Sequence, residues 1–213
     1  MAVTPKTSRL IRLVGSEVSL RLSEADKFFL KDLSKVQLIS SDLAEKNHYS
    51  HLKGASGRSL DRLEKAGLIT SKRLHQKNGP PLKIYQFADK SIAGAFGGKL
   101  PVTGAKRTDL HELMTSRAYF ELGRPASFKL ASHFTPGEIA ACGSMRPDAL
   151  YTDTATGEIV VVEADSGQYT KSQIQDKVAR WRAAGLNRQV WAQPVQVGAA
   201  KVPPLPGITV MRI

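Results

Sequence analysis

Apolar positions recur at helical spacing from Ser23, where Phe28, Phe29, Leu30 and Leu33 form a stripe and Ser23 is placed to cap a helix running to Lys35. Ser40-Ser41-Asp42 predicts the start of a short second helix carrying Leu43, Ala44 and Tyr49. A third helix runs from about Ser56 to Ala66, with Gly67 at the C′ position that stops it. Residues 68–74 and 82–87 then read as strands flanking a loop whose Asn78-Gly79 is a strong turn signal. Residues 91–107, rich in Gly and Lys without a sustained period, read as a linker. The remainder predicts a helix over 109–122, a strand over 127–134, and two strands about the turn Asp153–Glu158. A helix over 170–184 and strands at 189–193 and 208–213 follow. Thr170 with Gln173 makes a capping box, and Ile174, Val178 and Trp181 give that helix its buried face. The expected fold class is α+β, with a mixed α/β core in the second half.

Charge separates the halves further. The chain carries a formal +12 with a pI near 9.9. Residues 1–107 hold 20 Lys and Arg against 9 Asp and Glu, a net +11; residues 108–213 hold 11 against 10, a net +1. A basic module joined to a near-neutral one points to nucleic acid as partner. Three helices closed by a hairpin, with Leu63-Glu-Lys-Ala-Gly-Leu-Ile69 at the junction, look like a winged helix-turn-helix over residues 23–90, preceded by an arm, 1–22. In such a domain the third helix enters the major groove of duplex DNA and the wing follows the backbone. Ser56, Arg58, Ser59 and Arg62 would then face the bases, and Lys72, Arg73 and Lys77 the phosphates.

The chemistry concentrates in the second half. Centring the hairpin turn between Ala155 and Thr156 sets Thr152 opposite Ile159, Leu150 opposite Val161 and Asp148 opposite Glu163. Opposed residues lie about 5 Å apart, and like charges there repel. The Glu163 strand is apolar on both faces, as a buried central strand is. Paired carboxylates at its end call for a counter-charge, and a hard divalent cation such as Mg²⁺ or Mn²⁺ supplies one.

Element order, Pro147-Asp148 and Glu163-Ala-Asp165 together resemble the PD-(D/E)XK restriction-endonuclease-like fold, covering residues 108–213. That resemblance implies metal binding by Asp148 and Glu163. It also implies a lysine two residues beyond the glutamate, where this chain has Asp165. More narrowly, the runs His111-Glu-Leu-Met, Arg146-Pro-Asp-Ala-Leu-Tyr and Val160-Val-Val-Glu-Ala-Asp-Ser-Gly-Gln-Tyr resemble the replication-relaxation and MOBC-type relaxase group, over roughly residues 23–195. In that group a lysine on the following helix replaces the missing one; Lys177 fits best, Lys171 second. The group's His-containing helix corresponds to His111-Glu112, implying a ligand or general acid in His111 and a further ligand in Glu112. Asp165, on the same face as Glu163, is expected as a third ligand or as the group holding Lys177.

Several classes are excluded. Position 115 is Thr where a HEXXH zinc motif requires His, and His48, His51, His75, His111 and His133 contain no His-hydrophobe-His pair. A lone Cys142 rules out an intrachain disulfide and reads as a buried thiol. Tyr119, Tyr151 and Tyr169 are nucleophiles by type, but no base is evident beside any of them, so a structural role is expected. No apolar run approaches the ~20 residues of a membrane span and no signal-peptide core is evident, so a cytoplasmic protein without a membrane partner is expected. The resulting expectation is a DNA-binding protein with metal-dependent nicking activity in plasmid mobilisation or replication, with relaxosome proteins as further partners. The alternative is a non-catalytic regulator or accessory factor with a degenerate core.

Overall fold

The computed structural model describes residues 10–11, 20–52, 56–75, 80–101, 109–195 and 202–213, and among them the chain is α+β. It divides into two compact units. One takes the described residues to Ser34 and from Ser40 to Leu100; the other takes Lys35–Ile39 and those from Pro101 onward.

The first unit opens with a two-residue antiparallel pair, β1 (Leu10–Ile11) and β2 (Leu20–Arg21). Helix α1 (Glu24–Val36) begins where Ser23 Oγ accepts from the Asp26 amide at 3.1 Å and Asp26 Oδ2 accepts from the Ser23 amide at 2.7 Å. Phe29, Leu30 and Leu33 are fully buried, whereas Phe28 is 60% exposed. The expected stripe is therefore narrower: each residue steps about 100° around the helix, and Phe28 falls off the edge that Phe29 and Leu33 define. A short strand β3 (Ile39–Ser40) leads to α2 (Ser41–Ala44), which runs on as a π turn over Glu45–Tyr49 and a 3-10 turn over Ser50–Leu52. Helix α3 (Ser56–Lys65) stops at Gly67, whose φ of 71° suits a residue without Cβ. Strands β4 (Ile69–Leu74) and β5 (Leu82–Phe87) pair antiparallel from Ile69↔Phe87 to Leu74↔Leu82, in a sheet ordered β3-β5-β4. The Asn78-Gly79 turn, Lys77 and most of the N-terminal arm lie outside the described residues. The expected linker is not featureless: α4 (Lys90–Ala95) occupies its start, with Asp89 Oδ1 accepting from the Ile92 amide at 2.8 Å. That cap and the burial of Ala93 stabilise a helix that Gly94 hides from a periodicity search. Residues 102–107 lie outside the described residues.

The second unit begins with α5 (Asp109–Glu121), which lies against the sheet at its central strand and one neighbouring strand. The strand expected over 127–134 is only β6 (Lys129–Leu130), because a 3-10 turn at Ala131–His133 breaks the ladder. Helix α6 (Pro136–Ala141) was not expected, although Thr135 and Glu138 form a capping box and Pro136 opens the helix. Then come β7 (Ala149–Thr152), β8 (Ile159–Ala164), α7 (Lys171–Ala183), β9 (Arg188–Gln193) and β10 (Ile208–Arg212). The sheet is ordered β10-β9-β8-β7-β6, with β8 central, antiparallel to β7 and parallel to β9. The hairpin register is the expected one, Thr152↔Ile159 through Ala149↔Val162.

Helix α7 starts at the Thr170–Gln173 box and buries Ile174, Val178 and Trp181 against Leu150, Val161 and Trp191. The two indole rings lie 5.8 Å apart, and Trp181 Nε1 donates to the Met145 carbonyl at 2.6 Å. Cys142 is buried in the same cluster, and burial pushes its thiol pKa up. Among the described residues no helix is long and apolar enough to cross a membrane.

Candidate functional site

The acids gather at the carboxyl end of the central strand. Asp148 lies one step before β7, and continuing the register past Ala149↔Val162 sets it beside Glu163. Two bonds hold it there: its backbone oxygen accepts from the Ala131 amide and its Oδ2 from the Ala164 amide, both at 2.8 Å. His111 Nε2, from α5, lies 2.9 Å from the same Oδ2.

Glu163 is completely buried. Its Oε1 accepts from the Tyr169 hydroxyl at 2.9 Å and from Lys177 Nζ. Lys177 Nζ also donates to the Tyr169 oxygen at 2.9 Å and stands 4.4 Å from that ring's centroid. The helix delivers Lys177 because the buried stripe Ile174, Val178 and Trp181 turns the adjacent position 177 toward the sheet's end. Glu163 Oε2 meets no donor among the described residues. Burial first, and the charge of Asp148 second, push the Glu163 carboxyl up to about 7, against the opposing pull of Lys177 and Tyr169. Burial and Glu163 push the Tyr169 phenol up to about 12. Burial pulls the Lys177 ammonium down, but Glu163 and Tyr169 outweigh it and the net direction is up.

Asp165, also fully buried, is held differently from expectation: Oδ1 accepts from the Gly167 amide at 2.8 Å and Oδ2 from Gln193 Nε2 at 2.9 Å. It grips Gln193 and not Lys177. Glu112 is buried on α5 next to His111, yet no group of three His, Cys, Asp or Glu side chains able to hold a metal occurs among the described residues. Lys171 is exposed in the first turn of α7, six residues before Lys177, and is not brought to the acids. Tyr119 packs in the core against Phe120 and Phe128, and burial raises the Tyr151 phenol; Tyr169 alone of the three reaches the site. Gln193 was missed, and nothing local in the sequence marks it.

Two carboxylates with an open Glu163 oxygen fit a hard cation that takes one or two carboxylates and fills its remaining positions from water and phosphate. Four buried acids (Glu112, Asp148, Glu163, Asp165) belong to this unit, and the charge gathered around Glu163 has one partly buried ammonium, Lys177, directly on it.

The raised Glu163 carboxyl makes a stability prediction. Between its ordinary value of 4.5 and about 7, the folded chain keeps a proton that the unfolded chain has lost. Stability contributed by this group therefore falls as pH rises through that window, with a slope of at most about 1.4 kcal/mol per pH unit. Glu163→Gln should remove the slope, so in chelator it gains on the wild type between pH 5 and pH 7. Denaturant titrations at several pH values check this, and a constant difference between the two proteins would refute it.

On the first unit, Arg58 is exposed on α3, and Ser59 is half-buried one step on. Ser56 is buried, so its side chain is not offered to a ligand. Arg62 is committed elsewhere: its guanidinium pairs with fully buried Asp26 and donates to the Arg21 carbonyl at 2.9 Å. Asp26 also takes the Tyr49 hydroxyl at 3.1 Å, so Arg62 closes a structural network joining α1 and α3. Lys72 and Arg73 are exposed on β4. No protein-family model, curated protein or solved structure matches the chain.

Proposed function

We propose that the chain processes DNA: the first unit is a winged helix that holds the duplex, and the second a restriction-endonuclease-like core that nicks it with Mg²⁺ or Mn²⁺, as plasmid mobilisation or replication requires. The observation that carries this reading is the donorless Oε2 of fully buried Glu163, whose carboxyl feels the charge of Asp148. Asp148 and Glu163 would hold the cation, which when bound offsets phosphate charge and lowers the pKa of a coordinated water. Tyr169 anchors Glu163 through Oε1 and leaves Oε2 for the ligand. The Ala164 amide fixes Asp148, and His111 Nε2 stands 2.9 Å from its carboxylate without a well-formed hydrogen bond. Lys177, kept charged by Glu163 and Tyr169, stabilises the negative charge that grows on the phosphate oxygens in the transition state. The direct test is conversion of supercoiled plasmid to open circle by the purified chain with Mn²⁺ or Mg²⁺, and its loss in chelator.

A non-catalytic DNA-binding regulator or accessory factor is the second reading. It is favoured by the ion pair that already sets Lys177 on Glu163, and by Asp165 at the position where the resembled fold has lysine.

For DNA binding, the chain's affinity should fall steeply with salt, the slope of log K against log salt gaining about −0.9 per phosphate contact. The Arg58 side chain is exposed on α3, so Arg58→Ala should cost about 1–3 kcal/mol on a preferred duplex and relax sequence choice. Arg62→Ala should instead lower the thermal stability of the first unit, because it uncouples buried Asp26. Titrations on specific and random duplexes at several salt concentrations separate the two effects. Equal losses for Arg58→Ala on both duplexes would show that α3 is not the reader.

A further inference from the structure

Gln193, the last residue of β9, is fully buried, and the mechanism above leaves it unused. Its Nε2 donates to Asp165 Oδ2 at 2.9 Å, while its Oε1 meets no donor among the described residues. Asp165 dictates that orientation. A carboxylate accepts, so the amide must turn its NH₂ toward it and its oxygen away.

Register then relates this oxygen to the acids. Glu163 stands opposite Trp191 and Ala164 opposite Ala192 on the parallel neighbour, and the Asp165 amide donates to the Ala192 carbonyl at 2.8 Å. Continued by one step, Asp165 falls beside Gln193, and Glu163, Asp165 and Gln193 share one face of the sheet. Asp148 joins that face through its alignment with Glu163. Two buried acceptor oxygens, Glu163 Oε2 and Gln193 Oε1, thus lack donors on one face at one end of one sheet. Buried acceptors without donors are uncommon in folded proteins, and two together ask for a common partner that brings positive charge or protons.

A hard divalent cation answers both, because its ligands are oxygens of carboxylates and of Gln or Asn carbonyls alike. Among the described residues no three His, Cys, Asp or Glu side chains come together to hold a metal, and an amide oxygen is a further hard donor. We propose that Gln193 Oε1 is the third protein oxygen of the cation site beside Asp148 and Glu163, with Asp165 as the positioning residue that aims it. The proposal rests on the metal-dependent reading of this site. It gives Asp165 a task where the resembled fold has lysine.

The test is Mn²⁺ binding to the full chain without DNA, followed by calorimetry and by the spin-resonance spectrum of bound Mn²⁺. Gln193→Leu should weaken Mn²⁺ binding by roughly 10- to 100-fold, the loss usual for residues that complete or orient a metal shell. Gln193→Asn keeps the amide but withdraws it by one methylene, and should weaken binding in the same direction if the leucine variant folds poorly. Metal-free melting curves of both variants show whether the fold is intact. Glu163→Gln serves as the control and should remove the Mn²⁺ site. Should Glu163→Gln lose Mn²⁺ while both Gln193 variants bind like wild type, a buried water satisfies Gln193 and the proposal is overturned, the site itself standing. If Glu163→Gln binds Mn²⁺ as wild type does, or if wild type binds none, the metal-dependent reading fails and the proposal with it.

Discussion

Asp148→Asn and Glu163→Gln should each lower metal-dependent nicking by a factor on the order of 10³ or more, the scale of several kcal/mol of charge stabilisation at the phosphate. Both replacements are nearly isosteric. An amide oxygen at position 148 can still accept from the Ala164 amide, and one at position 163 can still accept from Tyr169 and Lys177. The local bonds therefore survive while the anionic charge is lost. Salt-dependent DNA binding should persist in both, since the exposed cations proposed to hold the duplex belong to the first unit. Lys177→Met should be milder, a loss on the order of 10²–10³ for one electrostatic stabiliser, with Mn²⁺ binding retained. Plasmid-nicking rates and duplex titrations on the same preparations check all three. Nicking that persists in Glu163→Gln, or that needs no divalent cation, would sink the mechanism. A wild type that fails to nick with every metal tried leaves the regulator reading standing.

Trp181→Ala should cost the second unit about 3–5 kcal/mol, the range for removing a large buried aromatic from a core that cannot close over the gap. Trp181 is fully buried, its ring lies 5.8 Å from Trp191, and its indole supplies the hydrogen bond to the Met145 carbonyl. Trp181→Phe keeps most of the volume and forfeits that bond, so a smaller loss is expected, on the order of 1–2 kcal/mol. A functional consequence follows from position. Lys177 lies one turn earlier on α7 with Nζ 5.5 Å from the Trp181 ring, so the cavity loosens the element that delivers the lysine to Glu163. Nicking should therefore fall in Trp181→Ala even at temperatures where the fold is retained. Denaturant unfolding followed by Trp191 fluorescence measures the first effect, and an unchanged midpoint would contradict the packing of α7 on this sheet.

Much of this was legible along the chain because its causes are local. Thr170 and Gln173 are three residues apart and satisfy one another's backbone; Gly67 ends α3 by its own left-handed φ of 71°. Hairpin register followed from turn length alone, so the alignment of Asp148 with Glu163 could be read before any tertiary contact was known. Lys177 was reachable by resemblance and by its place beside the buried stripe. Where local signals were weak or rested on a cap, as at α4 and α6, periodicity missed the element although Asp89, Thr135 and Glu138 carried the signature.

Other features have partners far away in sequence, and no spacing rule reaches them. Arg62 looks like a base reader on the helix wheel. Only the fold brings it to Asp26, 36 residues earlier, where pairing with a buried carboxylate outweighs solvation of a free guanidinium. Asp165 looks like a ligand or a lysine's partner until β9 sets Gln193 beside it, 28 residues on. The sequence by itself determined most of the long elements, the hairpin register and the types of chemical group at the sheet's end, because hydrophobic period, caps and turns act within a few residues. Tertiary structure alone decided which acids lost their water, which cation stands on Glu163 and which acceptors were left without donors. Desolvation and charge pairing depend on the distances between strands and helices, and those are set only when the sheet closes against α7.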